Sequence, residues 1–384
     1  MTQKVKIDTL KTNQTGLSIG VLTINRPANL NSIDLSMVNT MLNQMRVWQA
    51  DAGIVAVIIC GATHKAFSAG GDLQALYQSM NAYPDLQSPW ENDYGRDFFA
   101  QEYQLDHLIH TFEKPIIALG FGVLMGGGIG VFTGASHRVV APKTRYAMPE
   151  IAIGLFPDVA GSWLLARLPA GIAHTLVMTG AHINGADAYY LGLADYLFDE
   201  STDSERIITD LCEARWQGCP YATCSRVLSA YHQPSLSKLG MLIPHYERLR
   251  ALGANSDFDV LCTQYTHWAE PDAMGADHDP WLQRAGEQFL AGSPLSIRLS
   301  YELLKLNRHY SLAEAFQVDF NVAMHCLVHH DFKEGIRALI VDKDSAPRWT
   351  HQTPQEVTIN EVMAFLTPVH PKDVEHPLQD LSDY

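Results

Sequence analysis

Apolar residues recur along this chain with two different periods, and the change from one to the other marks out its elements. Near-continuous apolar runs at Leu17 to Asn25, Ile54 to Cys60, Pro115 to Leu119 and Val139 to Met148 have the length and β-branched content of buried strands. Between them, apolar positions three and four apart predict a helix near Ser36 to Gln49 and another through Leu76 and Met80; a further helical stretch opens at Gly126. Strand and helix alternate in this way to about Phe198, which is an α/β pattern. From Asp203 onward the pattern is helical with loops, especially around Glu270 to Pro280, and the proline-bearing tail after Trp349 is expected to be partly extended. The expected division is a core over residues 1–202 and a helical region over 203–384.

Two strand-to-helix turns are glycine loops. Lys65-Ala-Phe-Ser-Ala69-Gly70-Gly71-Asp72-Leu73 follows the strand ending at Cys60, and Leu124-Met-Gly126-Gly127-Gly128-Ile-Gly130 follows the run ending at Leu119. Glycines there expose backbone N–H groups with no side chain in the way, and a helix N-terminus adds positive partial charge. Two such turns facing one point make an oxyanion hole. Neither fits a nucleotide-phosphate motif, since G-x-x-x-x-G-K-[ST] is absent and the second loop's spacing is not G-x-G-x-x-G. A third segment, Ala147-Met-Pro-Glu150-Ile-Ala-Ile-Gly-Leu-Phe156-Pro-Asp158-Val-Ala-Gly-Ser162, sets two carboxylates eight residues apart among apolar neighbours. A carboxyl in such surroundings gains a raised pKa, useful for proton transfer near neutral pH. The plainer readings are close helix–strand packing for the glycines, a surface Glu150 and a helix cap at Asp158. The coincidence of two loops with the carboxylate pair favours catalysis. The stretch Tyr83 to Asp93, rich in Pro, Asn and Asp, suits a surface loop near the site entrance.

The chain's 384 residues exceed a usual single core and allow one enzymatic domain plus a helical extension. A net charge of -15 argues against a nucleic-acid surface, because phosphate backbones demand clustered Lys and Arg. No apolar run reaches the length of a membrane span, and Met1 to Asp8 has no signal-peptide h-region, so a soluble cytoplasmic protein is expected. Its six cysteines show no C-x-x-C spacing and are expected to be free thiols. His325 and His329 share a helix face but lack an H-E-x-x-H context, so no metal is expected.

The residues Ile24 to Asn31, Lys65 to Leu73, Met125 to Gly130 and Met148 to Arg167, in this order, resemble the enoyl-CoA hydratase/isomerase (crotonase) superfamily. That resemblance implies a fold: a spiral of β-β-α units followed by a helical C-terminal region. Phe156-Pro-Asp158-Val159, Ser293-Pro-Leu-Ser296 and Asp331 to Trp349 look like the 3-hydroxyisobutyryl-CoA hydrolase branch, whose reaction belongs to valine catabolism. By resemblance, the amides of Gly71 and Gly127 hold the thioester oxygen, Glu150 attacks or activates water, and Asp158 orients water or a substrate hydroxyl. Ala28, Leu30, Ala69, Gly70, Asp72, Leu73, Gly126 and Phe156 fall at substrate-binding positions. Hydratases use a second glutamate where this chain has Gly130, which disfavours hydration. Ala28 stands where relatives often carry Lys near the CoA phosphates. Ala160 replaces a usual Gly and Arg145 a usual small or apolar residue, changes expected to reshape the acyl pocket. The implied activity is hydrolysis of a short-chain 3-hydroxyacyl-CoA to free acid and CoA, with no cofactor beyond the coenzyme A of the substrate. A hydratase or isomerase, and a non-catalytic acyl-CoA binding protein, are the alternatives. Self-association into a homo-oligomer stays open.

Overall fold

The strands divide between two sheets. In the computed structural model, which describes residues 3–83, 86, 88–255, 257–270 and 279–382, one sheet has six strands. In spatial order these are β1 (Val5–Lys11), β2 (Ser18–Ile24), β3 (Ile54–Gly61), β5 (Ile116–Leu119), β7 (His137–Val140) and β10 (Tyr196–Leu197). The other runs β4 (Ala66–Ser68), β6 (Val123–Met125), β8 (Arg145–Ala147) and β9 (Ile183–Asn184). All neighbours are parallel except β1–β2 and β8–β9. The pair β3–β4 leads into α2 (Leu73–Ala82) and β5–β6 into α4 (Gly127–Thr133), so each turn of the spiral delivers one strand to each sheet and then a helix. α1 (Leu35–Ala50) precedes β3, as its apolar spacing predicts, with Asp34 accepting from the Met37 amide as its cap.

β3 is apolar on both faces because both are covered. Ile19, Ile58 and Ile117 meet Ile207 and Leu211 of α8 (Ser204–Glu213) on one side, while Val57 and Ile59 join the main core on the other. Three differences from the sequence expectation concern strands. The run Val139 to Met148 is two strands, not one. Pro142 cannot donate to a ladder, and the Thr144 amide closes a turn onto the Ala141 carbonyl at 2.9 Å, which sends β7 and β8 into different sheets. Each glycine loop is preceded by a further strand, β4 or β6, too short for a periodic signal, and β1 lay outside the expectation altogether. The tail after Trp349 includes a helical turn, α16 (Ile359–Phe365), closed by a Thr358–Glu361 capping box.

The helical region builds part of the wall around the core. α14 (Leu312–Val328) lies on α3 (Asp93–His110), where Phe316 meets Tyr103 with ring centroids 5.9 Å apart. Residues on both sides of position 202 belong to one apolar cluster. The expected entrance loop does something else: Asn92 caps α3, and Trp90 is half-buried against Phe320, away from the cavity described below. Pro84, Asp85 and Gln87 of that loop, and residues 271–278 of the other expected loop, lie outside the described residues.

Candidate active site

Between the two glycine loops lies a cavity of about 210 Å³. Its walls include Gly70 and Gly71, Gly126 and Gly127, Leu73 and Leu76 of α2, Phe98, Phe99 and Glu102 of α3, then Glu150, Asp158, Leu339 and Ile340. Gly71 directly precedes the α2 cap Asp72, and Gly127 is the first residue of α4. A Cβ built on Gly127 would stand 3.5 Å from the Gly71 amide nitrogen, so the two loops close on the same point. Among the described residues neither amide is paired with an acceptor. Gly126 takes φ +51, and Gly70 takes φ +97, conformations that favour glycine and bring the loops this near.

Five carboxyl groups cluster behind this point. Glu150 sits at the start of a 3-10 turn (Glu150–Ile153) and is 4% exposed; its Oε1 lies 3.2 Å from the Cβ position of Gly126. Asp158 accepts a hydrogen bond from the Tyr103 hydroxyl at 2.8 Å. The plain readings of a surface Glu150 and of an Asp158 side chain capping α5 (Gly161–Leu165) therefore do not hold. Glu102, Asp106 and Asp319 complete the group, all buried. Burial pushes Glu150 well above the usual carboxyl range, and the Asp158 charge adds to it. Glu102 rises for the same two reasons, Asp106 from burial and from Glu102 and Asp158, and Asp319 from burial and Asp158. Asp158 rises only to about 6, because the Tyr103 hydroxyl and a backbone amide oppose its burial. Among the described residues no cation offsets any of these shifts. Five acids in one apolar shell cannot all ionise, so negative charge is rationed among them and falls first on Asp158.

Sequence reasoning missed Glu102 and Tyr103. Both lie on the stripe Phe98, Phe99, Glu102, Tyr103, Asp106, Ile109 of α3, and an acid in an apolar helical stripe was the available signal. Several expected positions are elsewhere. Ala28 and Leu30 do not line the cavity; the Leu30 carbonyl accepts from the Ala69 amide at 3.0 Å and so backs the first loop. Asp72 pairs with Arg26 at 2.9 Å while capping α2, and Phe156 is wholly buried in the core. Arg145 is exposed on β8 and Ala160 is buried outside the cavity, so neither shapes the acyl pocket directly. Val159 and Ala160 instead form a strained left-handed pair (φ +50 and +57) directly after Asp158, held by the Ala160 amide donating to Asp319 at 2.9 Å. His325 meets Thr367 and His329 caps α15 (His330–Ile336), so each has a structural partner.

A parallel two-sheet spiral that converges two helix-leading amides on buried carboxyls defines the class. Residues 19–366 match the enoyl-CoA hydratase/isomerase family, and the chain belongs to it as a crotonase-fold enzyme. Within that family it is similar to 3-hydroxyisobutyryl-CoA hydrolases. The mitochondrial enzyme of Gallus gallus is 32% identical over 93% of this chain and 88% of its own length, and that of Homo sapiens 30% identical over 88% and 83%. Two crystal structures share the fold over 96% of this chain and 98% of theirs. A carnitinyl-CoA dehydratase from Mycobacterium thermoresistibile has a TM-score of 0.80 at 28% identity, and an enoyl-CoA hydratase from Rhodobacter sphaeroides 2.4.1 has 0.75 at 31%. The hydrolase relatives are mitochondrial, which lends the cytoplasmic expectation no support. Among the described residues no helix is long and apolar enough to cross a membrane.

Proposed function

We propose that this chain hydrolyses a short-chain 3-hydroxyacyl-CoA, with 3-hydroxyisobutyryl-CoA the leading substrate, to the free acid and CoA. The observation that carries the reading is Gly130. A side chain there would collide with Asp106 Oδ2 and come within 2.8 Å of the Val159 Cβ, so the site has no room for a second hydratase-type glutamate at that position. The hydrolase names of the relatives point the same way.

In this reading the thioester oxygen accepts from the Gly71 and Gly127 amides, a contribution of roughly 3–4 kcal/mol per donor in comparable sites. Glu150 either takes a proton from water or adds to the carbonyl, giving a mixed anhydride that water then cleaves. Asp158 and Glu102 hold the substrate hydroxyl and return a proton to the departing thiolate. Coenzyme A enters as part of the substrate. The bond from Tyr103 favours a variant of this scheme in which Asp158 is the ionised base and Glu150 the acid; pH profiles of Glu150→Gln and Asp158→Asn separate the two.

The two crystal structures favour enoyl-CoA hydration as the second reading. Wild type and Asp158→Gly are to be followed with 3-hydroxyisobutyryl-CoA by thiol release and with crotonyl-CoA by loss of enoyl absorbance. Hydrolysis predicts thiol release by the wild type that the variant loses. Efficient hydration by the wild type, or unchanged thiol release in the variant, overturns it.

A further inference from the structure

The segment Asp331 to Trp349 contributes the only cavity-lining residues beyond position 158 among those described, Leu339 and Ile340. They sit on a π-turn (Arg337–Val341), a form in which one extra residue bulges from a helix and which recurs at functional sites. The bulge is braced from behind. Arg337 donates to both oxygens of Glu334 at 2.8 Å and to Asp342 and Asp344 at 2.6 Å, so its guanidinium is committed inside the turn and is no phosphate anchor. The turn is also pinned to the carboxylate loop. Asp331 accepts from Ser293 and from Thr350, Ser293 donates its amide to the Ile151 carbonyl at 2.8 Å, and Gly335 packs on the backbone of Ile153.

Leu339 remains 44% exposed in spite of this bracing. A thioester carbon whose oxygen is held by Gly71 and Gly127 has two substituents to place. Coenzyme A is far larger than a 210 Å³ cavity, so the sulfur side must leave by the open end and the acyl group take the closed one. The closed end is Phe98, Phe99, Glu102 and Asp158, all buried, and the exposed lining residues Ala152 and Leu339 mark the mouth.

Resting on the hydrolase reading for the substrate's class, we propose that the π-turn is the docking surface for the pantetheine arm of coenzyme A, with Leu339 and Ile340 covering its methylene segments against Leu73. The apolar side chains at the mouth are then buried by the ligand. Specificity for a CoA thioester over a shorter thioester comes in part from this turn.

The test is Leu339→Ala, a change at an exposed position that leaves the fold intact by circular dichroism. Titration calorimetry with coenzyme A and with pantetheine alone should show affinity weakened by roughly five- to tenfold for both, the share of a half-buried leucine. Thiol release should show the loss as a raised KM for the CoA thioester, and a factor under threefold for the N-acetylcysteamine thioester of the same acid. Unchanged coenzyme A affinity overturns the proposal, as does an equal loss for both thioesters or a changed preference among acyl groups. The binding arm is independent of turnover: a wild type that binds coenzyme A through Leu339 but cleaves no thioester refutes the hydrolase reading alone, and one that does not bind coenzyme A refutes both.

Discussion

The Tyr103 hydroxyl donates to the Asp158 carboxylate at 2.8 Å, with both side chains shut away from solvent. It is the one side-chain hydrogen bond to Asp158 among the described residues, and it explains why this acid settles at about 6 while Glu102 and Glu150 are driven further up. α3 thus sets the order in which the cluster titrates, although only its Glu102 and two phenylalanines face the cavity.

Tyr103→Phe removes a bond that favours the ionised form, so Asp158 should titrate above its present value of about 6. Carbon-13 NMR of labelled aspartate, with Asp158→Asn to assign the signal, reads the shift directly. The limb of the rate profile that Asp158 governs should move to higher pH with it. An unmoved midpoint would show that the bond does not control this acid.

Glu150→Gln keeps the shape of the side chain and deletes its acid–base and nucleophilic capacity. Thiol release should fall by at least about a hundredfold while acyl-CoA binding stays nearly intact. Near-normal turnover would remove Glu150 from the chemistry.

Gly127→Pro deletes one amide donor at a helical first position, where proline is otherwise accepted. Its new ring atoms meet the far end of Glu102, so Gly127→Ala serves as the steric control that retains the amide. A folded proline variant should lose at least about a hundredfold in kcat relative to that control. Equal rates would place the oxyanion donor elsewhere.

Stability should fall with rising pH across the window of the Asp158 titration. Its carboxyl is 3.8 by nature and about 6 in the fold, so the folded chain holds a proton that the unfolded chain has already lost. The stabilising contribution is complete below about 4 and gone above about 6. Urea midpoints from pH 4 to 7 should therefore slope downward, and less steeply in Asp158→Asn. A variant slope as steep as the wild type's would assign the effect to the other buried acids.

The parts of the site that the sequence announces are those where backbone chemistry is local. Glycines at a strand-to-helix turn have one conformational reason to be there, and Glu150 and Asp158 stand out against apolar neighbours. Glu102 and Asp106 are one helical turn apart on α3, and like charges four residues apart ordinarily mark a solvated face. Gly127 and Gly130 of α4 lie against Glu102 and Asp106 and turn that face inward, while α14, more than two hundred residues on, packs on Tyr103 beside them. The split of Val139 to Met148 was masked in a similar way: Pro142 and Lys143 were the visible signal, but the apolar residues on either side belong to different sheets. The spiral itself came from resemblance, since periodicity reports that strands exist and not which sheet receives them.

Gly154 takes φ +73, and a Cβ there would run into the carbonyl of Asp331, so the loop that bears Glu150 rests backbone to backbone on a residue nearly two hundred positions later. During synthesis both glycine loops and the carboxyls of Glu150 and Asp158 leave the ribosome well before the segment that supports them. A nascent chain halted near position 300 would carry Gly71, Gly127, Glu150 and Asp158 and still lack the floor under Glu150. On the hydrolase reading, competence to cleave a thioester should therefore arrive late and abruptly as the chain is made, with the last seventh or so of its length deciding the matter.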